Sequence, residues 1–149
     1  MENLESKITI IINNYIENKQ LIEKLLLDRN NEIIIKNNID NKIFTVLTKL
    51  GMPSNLHGHQ YIIEAIKLGF ISNENYLHPN MNLYPQLSKI FNVKDYMIEK
   101  SIRDAITITW SRGNFDYQSK LFGYTVDRDR GKPTNGEFIA QIVNYISTI

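Results

Sequence analysis

The chain has 149 residues, 42% of them hydrophobic, and no cysteine, so it fits one domain of ordinary size with a short extension and excludes disulfides and thiolate metal sites. Its longest apolar runs, Ile8–Ile12 and Ile33–Ile35, are far too short to span a bilayer. The formal charge of +1 splits unevenly: residues 1–40 hold five basic and seven acidic residues, leaving +3 for the remainder, a balance that permits nucleic-acid binding without announcing it.

Residues 4–26 read as one amphipathic helix. Leu4, Ile8, Ile11, Tyr15, Asn18, Ile22 and Leu25 follow the alternating four–three spacing of a coiled-coil seam, with only Asn18 polar. Ile12, Ile16, Leu21 and Leu26 widen the apolar face beyond a two-stranded seam. A strand pairing of Ile8–Ile12 with Glu32–Lys36 is the alternative, since both runs are rich in β-branched residues. The polar clusters Asp28-Arg29-Asn30-Asn31 and Asn37-Asn38 suggest turns and a linker. Residues 1–38 are thus expected to be a helical segment and linker, a candidate dimerisation element, and residues 39–149 a separate domain.

Short helical patterns follow. Lys42–Leu50 stops at Gly51-Met52-Pro53, a glycine followed by proline. Asn55–Leu68 is expected to stop at Gly69 in the same way, and residues 71–81 read as a loop. Tyr84–Phe91 carries Pro85 in its first turn. Tyr96–Arg112, Phe115–Phe122 and Pro133–Ile146 complete the pattern. The predicted class is all-α, a helical bundle containing a helix-turn-helix, with an extra N-terminal amphipathic helix.

Tyr84–Phe91, a turn at Asn92–Asp95 and Tyr96–Arg112 have the proportions of the helix-turn-helix. Asn92 suits the left-handed turn conformation, and Asp95 suits a helix cap. At 100° per residue, Ile98, Ile102, Ala105, Ile106 and Thr109 share an inward arc. Tyr96, Glu99, Lys100, Arg103 and Thr107 share the outward one. Such a face suits a recognition helix. It equally suits a solvated face with Glu99 and Arg103 as an i,i+4 pair.

Three blocks decide between these readings. Trp110-Ser111-Arg112-Gly113-Asn114, Leu121-Phe122-Gly123-Tyr124-Thr125-Val126 and Lys132-Pro133-Thr134-Asn135-Gly136-Glu137-Phe138-Ile139-Ala140 stand in this order within about one hundred residues. Upstream, Tyr84-Pro85, Phe91-Asn92, Ile98-Glu99, Ile102-Arg103 and Ala105-Ile106 extend the pattern. Over roughly residues 40–147 the chain resembles the C-terminal effector domain of the stage-zero sporulation response regulator. The resemblance implies sequence-specific binding of double-stranded DNA by a transcription regulator in the cytoplasm.

Members of this family carry a phosphoacceptor receiver in front of the module, for which this sequence has no room, so control by its own receiver phosphorylation is not expected. Carried over by position, the resemblance implies base readout by Glu99 and Arg103, with Tyr96, Met97 and Lys100 on or beside the same face. Lys100 and Met97 stand where the family has base-reading arginines, and Asp104 replaces a histidine. Lysine and methionine lack the fork that arginine presents to guanine. Lys94, Arg112 and Lys132 are the expected phosphate contacts. Gly113, Phe115, Tyr117, Phe122 and Val126 lie in the stretch resembling the surface that meets the sigma subunit of RNA polymerase, with Phe115, Tyr117 and Phe122 as the exposed-aromatic candidates and a core position as the alternative for each. Residues 132–145 resemble a final helix that helps two copies sit head-to-tail on DNA, so a homodimer is expected. The edited positions leave a second reading, a modulator that contacts the full-length regulator or the sigma subunit with weakened DNA reading.

Other chemistry is set aside. His57-Gly58-His59 with His78 lacks the i,i+4 spacing of a helical metal pair. Gly131-Lys132-Pro133-Thr134 lacks the first glycine of a phosphate-binding loop, Val126 standing there. Asp127-Arg128-Asp129 lacks the turn glycine of a calcium loop. No catalytic constellation, metal, cofactor or membrane partner is expected, and the chain is not expected to be an enzyme.

Overall fold

A computed structural model describes residues 3–72, 75, 78–123 and 131–149. Among them there is no strand, and the architecture is all-α. The helices are α1 (Leu4–Leu50), α2 (His57–Ile71), α3 (Tyr84–Phe91), α4 (Asp95–Arg112), α5 (Phe115–Phe122) and α6 (Asn135–Ser147), with a π-helical turn, Pro79–Leu83, before α3. The chain divides into two compact units, Met1–Asn38 and Ile39–Ile149.

The first unit is helical from Leu4 onward, and each of its described residues is exposed. The turns expected at residues 28–31 and 37–38 do not form. Asn and Asp cost up to about 0.7 kcal/mol each in a helix, less than glycine at about 1 and far less than proline at about 3. Neither occurs between Leu4 and Leu50, so nothing interrupts propagation.

In the second unit, Ile43, Val46, Leu47 and Leu50 of α1 are buried. The helix ends where glycine allows it. Gly51 takes φ +86°, its N–H donates to Thr48, and the Met52 N–H reaches back to Leu47. These two bonds form a Schellman cap, with buried Met52 closing over buried Leu47. Helix α2 packs on α4 and α6, and α3 packs on α4. Gly58, in the first turn of α2, explains the close approach to α4: a Cβ there would lie 2.1 Å from the Ser101 carbonyl oxygen and 2.7 Å from the Ala105 methyl.

Three further boundaries differ from expectation. Helix α2 runs through Gly69, which is buried inside it, and ends at Ile71. Part of the expected loop, Pro79–Leu83, is a wide helical turn that buries Leu83. Helix α6 starts at Asn135 because Thr134 and Glu137 form a capping box ahead of it. The Thr-x-x-Glu signature was in the sequence and outranks Pro133 as the start signal. The core is closed by Trp110, Phe122 and Phe138, with Trp110 edge-on to both phenylalanines and those two stacked at 5.5 Å.

Candidate nucleic-acid interface

Helix α3 ends on Asn92, whose φ of 53° and ψ of 47° are left-handed. Asn tolerates this region better than most non-glycine residues. The turn is tied by Ser88, whose hydroxyl donates to the Val93 carbonyl at 2.5 Å, and by the Val93 N–H donating back to the Ser88 carbonyl at 3.3 Å. Helix α4 then begins at Asp95. Asp95 is not the cap: the N-cap position is Lys94, with no side-chain cap, and Asp95 occupies the first turn. There its carboxylate still complements the helix dipole.

The inward arc of α4 is as expected. Ile98, Ile102, Ala105, Ile106 and Thr109 are all essentially inaccessible. Burying each isoleucine contributes roughly 1.5–3 kcal/mol, which fixes the rotation of the helix about its axis. Thr109 returns its hydroxyl to the Ala105 carbonyl at 2.7 Å, so its burial leaves no hydroxyl unpaired. The opposite arc carries Tyr96, Lys100, Arg103 and Thr107 exposed and Glu99 half-buried. Met97, 43% exposed, flanks it.

Two ion pairs run along this face. Arg103 donates to Glu99 at 2.5 Å and Lys100 to Asp104 at 2.9 Å, both at i,i+4. Lys100 beside Asp104 holds that carboxyl below its usual range. A third cation comes from another part of the chain, as Lys132 donates to the Thr107 hydroxyl. Lys94 and Arg112 are exposed at the two ends of α4, about 27 Å apart along an eighteen-residue helix.

A clamp that sequence reasoning missed holds α4 against its neighbours. The Asn135 amide donates to the Tyr84 hydroxyl at 2.9 Å and to the Glu99 carbonyl at 3.1 Å, joining α3, α4 and α6. Burial raises the Tyr84 phenol above its ordinary pKa, offset in part by that hydrogen bond. Beside the clamp lies a cleft of about 690 Å³ lined by Tyr84, Glu99, Arg103, Ile106 and Lys132 among others. Glu99 and Arg103 of the outward face form part of its wall.

The stretch after α4 departs from expectation. Phe122 is 1% exposed and belongs to the aromatic core, so it is not a contact residue. Tyr117 is half-buried with its hydroxyl sealed from solvent, and burial beside Tyr145 pushes its phenol up to about 12. Gly113 is a packing residue. A Cβ there would lie 2.4 Å from the Leu50 and Thr109 carbonyl oxygens. The buried Gln118 amide donates to those same carbonyls, at 3.3 and 2.7 Å, and the Asn114 N–H donates to Leu50 at 3.0 Å. Phe115, 76% exposed, keeps a surface position. Val126 lies outside the described residues, as do Asp127, Arg128 and Asp129.

His59 is buried with Nε2 unpaired, and Phe44 lies edge-on to its ring. His57 and His78 are exposed. Among the described residues no cluster of three or more metal-ligating side chains occurs, and no helix is long and apolar enough to cross a membrane.

A buried inward arc, a left-handed turn in front of it and an exposed polar face are the parts of a helix-turn-helix. The family model described as Sporulation initiation factor Spo0A C terminal matches residues 43–146, and the chain belongs to this family of DNA-binding effector domains of sporulation regulators.

Proposed function

We infer that the chain is a sequence-specific transcription regulator that presents the outward face of α4 to the major groove of duplex DNA. Tyr96, Met97, Glu99, Lys100 and Arg103 are its base-reading group, and Lys94, Arg112 and Lys132 hold phosphates. The observation that carries this reading is the split of α4 into a sealed apolar arc and an exposed polar one. The protein acts in the cytoplasm as a homodimer, not controlled by receiver phosphorylation of its own. In support, the residues ahead of the effector unit form a helix rich in exposed apolar side chains, a surface for association that needs no aspartyl phosphate. Exposed Phe115 remains the best-placed contact for the sigma subunit.

A second reading has its own support. Glu99, Lys100, Arg103 and Asp104 cancel in two i,i+4 pairs, so the outward face carries no net charge from these four. That weakens attraction to DNA and suits a modulator acting by protein contact, on the full-length regulator or the sigma subunit. Selection from a random pool of duplexes with the purified protein separates the two. Enrichment of one box supports DNA reading. An unenriched pool, with retention of the regulator or sigma subunit in a pull-down, supports the modulator.

A further inference from the structure

The unit Met1–Asn38 carries an apolar surface of its own. Because α1 continues through residues 28–38, the repeat that matters is not the four–three seam of residues 4–25. Leu4, Tyr15 and Leu26 recur at eleven-residue intervals, and so do Ile11, Ile22 and Ile33. Eleven residues make slightly more than three whole turns, so both lines run nearly parallel to the helix axis. At 100° per residue all six fall within about 60° of one another. Ile8, at the same angle as Leu26, belongs to the same stripe. The polar breaks, Asn18-Lys19 and Arg29-Asn30, are themselves eleven residues apart.

These six side chains are between 48% and 72% exposed, in a stripe about 45 Å long. With Ile8 they offer on the order of 600–800 Å² of apolar surface, close to the roughly 800 Å² per partner that a stable pair buries. A surface of that size and continuity is atypical of a monomer. The stripe is also self-complementary. Two parallel copies in register set each apolar side chain of the stripe against its own counterpart.

We propose that a second copy of this chain covers the Leu4–Ile33 stripe, the two first-unit helices lying side by side with a slight right-handed supercoil. This deepens the dimeric reading given above and rests on it, but not on what α4 reads. The test is sedimentation equilibrium on the full chain from 1 to 100 micromolar, with single variants of the full chain. Ile33→Asp, which lies on the eleven-residue line but off the four–three seam, is expected to weaken association at least about tenfold. Leu25→Asn, on the seam but off the stripe, is expected to weaken it by less than about threefold. Near-ultraviolet dichroism of Trp110 reports that the second unit is intact in each variant. A monomeric wild type at 100 micromolar overturns both the stripe and the dimeric reading. A dimer indifferent to Ile33→Asp, or more sensitive to Leu25→Asn, overturns the stripe and leaves the dimeric reading standing.

Discussion

The Glu99 carboxylate and the Arg103 guanidinium meet at 2.5 Å, one turn apart on the exposed face of α4. On the proposed reading, DNA competes with Glu99 for Arg103. An exposed pair of this kind is worth only about 0.3–0.5 kcal/mol, whereas a bidentate contact to guanine contributes about 1–3 kcal/mol. The exchange favours DNA. Arg103→Ala is expected to lower affinity by about 1–3 kcal/mol, and unequally across a panel of sites, in competition binding. A uniform loss would make Arg103 a backbone contact instead.

Met97 is expected to alter what α4 reads more than how tightly it holds. A thioether offers no fork for guanine but can rest against a thymine methyl. Met97→Arg should restore guanine preference at one base pair by about 1–3 kcal/mol. Selected-site profiles of the two proteins check this. Identical profiles would place Met97 outside the groove.

Affinity should fall steeply with salt, because Lys94, Arg112 and Lys132 would displace counterions from phosphates. Replacing any one with glutamine should lower the log–log salt slope by about 1. Binding titrations between 50 and 200 millimolar salt measure it. A flat slope in the wild type would favour the protein-contact modulator.

Gly58→Ala tests the seam between α2 and α4. The new Cβ would meet the Ser101 carbonyl oxygen, and neither helix backbone can yield locally. Overpacking of this kind costs typically about 1–3 kcal/mol, read as a lower midpoint of urea unfolding. An unchanged midpoint would mean that the helices can separate freely.

His59 makes stability depend on pH. Burial lowers its pKa from the ordinary value of 6.5, so the native state holds it neutral. Above 6.5 it is neutral folded and unfolded, and its full contribution is present. As pH falls below 6.5 the unfolded chain takes the proton first, and stability is lost down to the lowered native pKa. Unfolding midpoints between pH 7 and 5 should decline, and His59→Gln should flatten the decline. An equal slope in the variant would assign the effect to other groups.

Much of the fold was legible because it depends on local rules. The buried and exposed arcs of α4 follow from its period, and Asn92 was the right residue for a left-handed turn. Features set by distant partners were not legible. Phe122 read equally well as a surface or a core aromatic until Trp110 and Phe138 enclosed it, and Gly113 looked like part of a contact loop until Leu50 and Gln118 closed around it. The turns expected at residues 28–31 failed for another reason. A cluster of asparagines is a weak breaker when no glycine or proline assists it.

The joint at Leu50, Gly113 and Gln118 is made of main-chain groups and one buried amide, and none of it lies on the outward arc of α4. What anchors the far end of the helix is therefore independent of what the helix displays. A lineage carrying this frame is free to exchange side chains at positions such as 97, 100 and 104 without loosening the anchor. Binding preference can then diverge among descendants faster than the scaffold does.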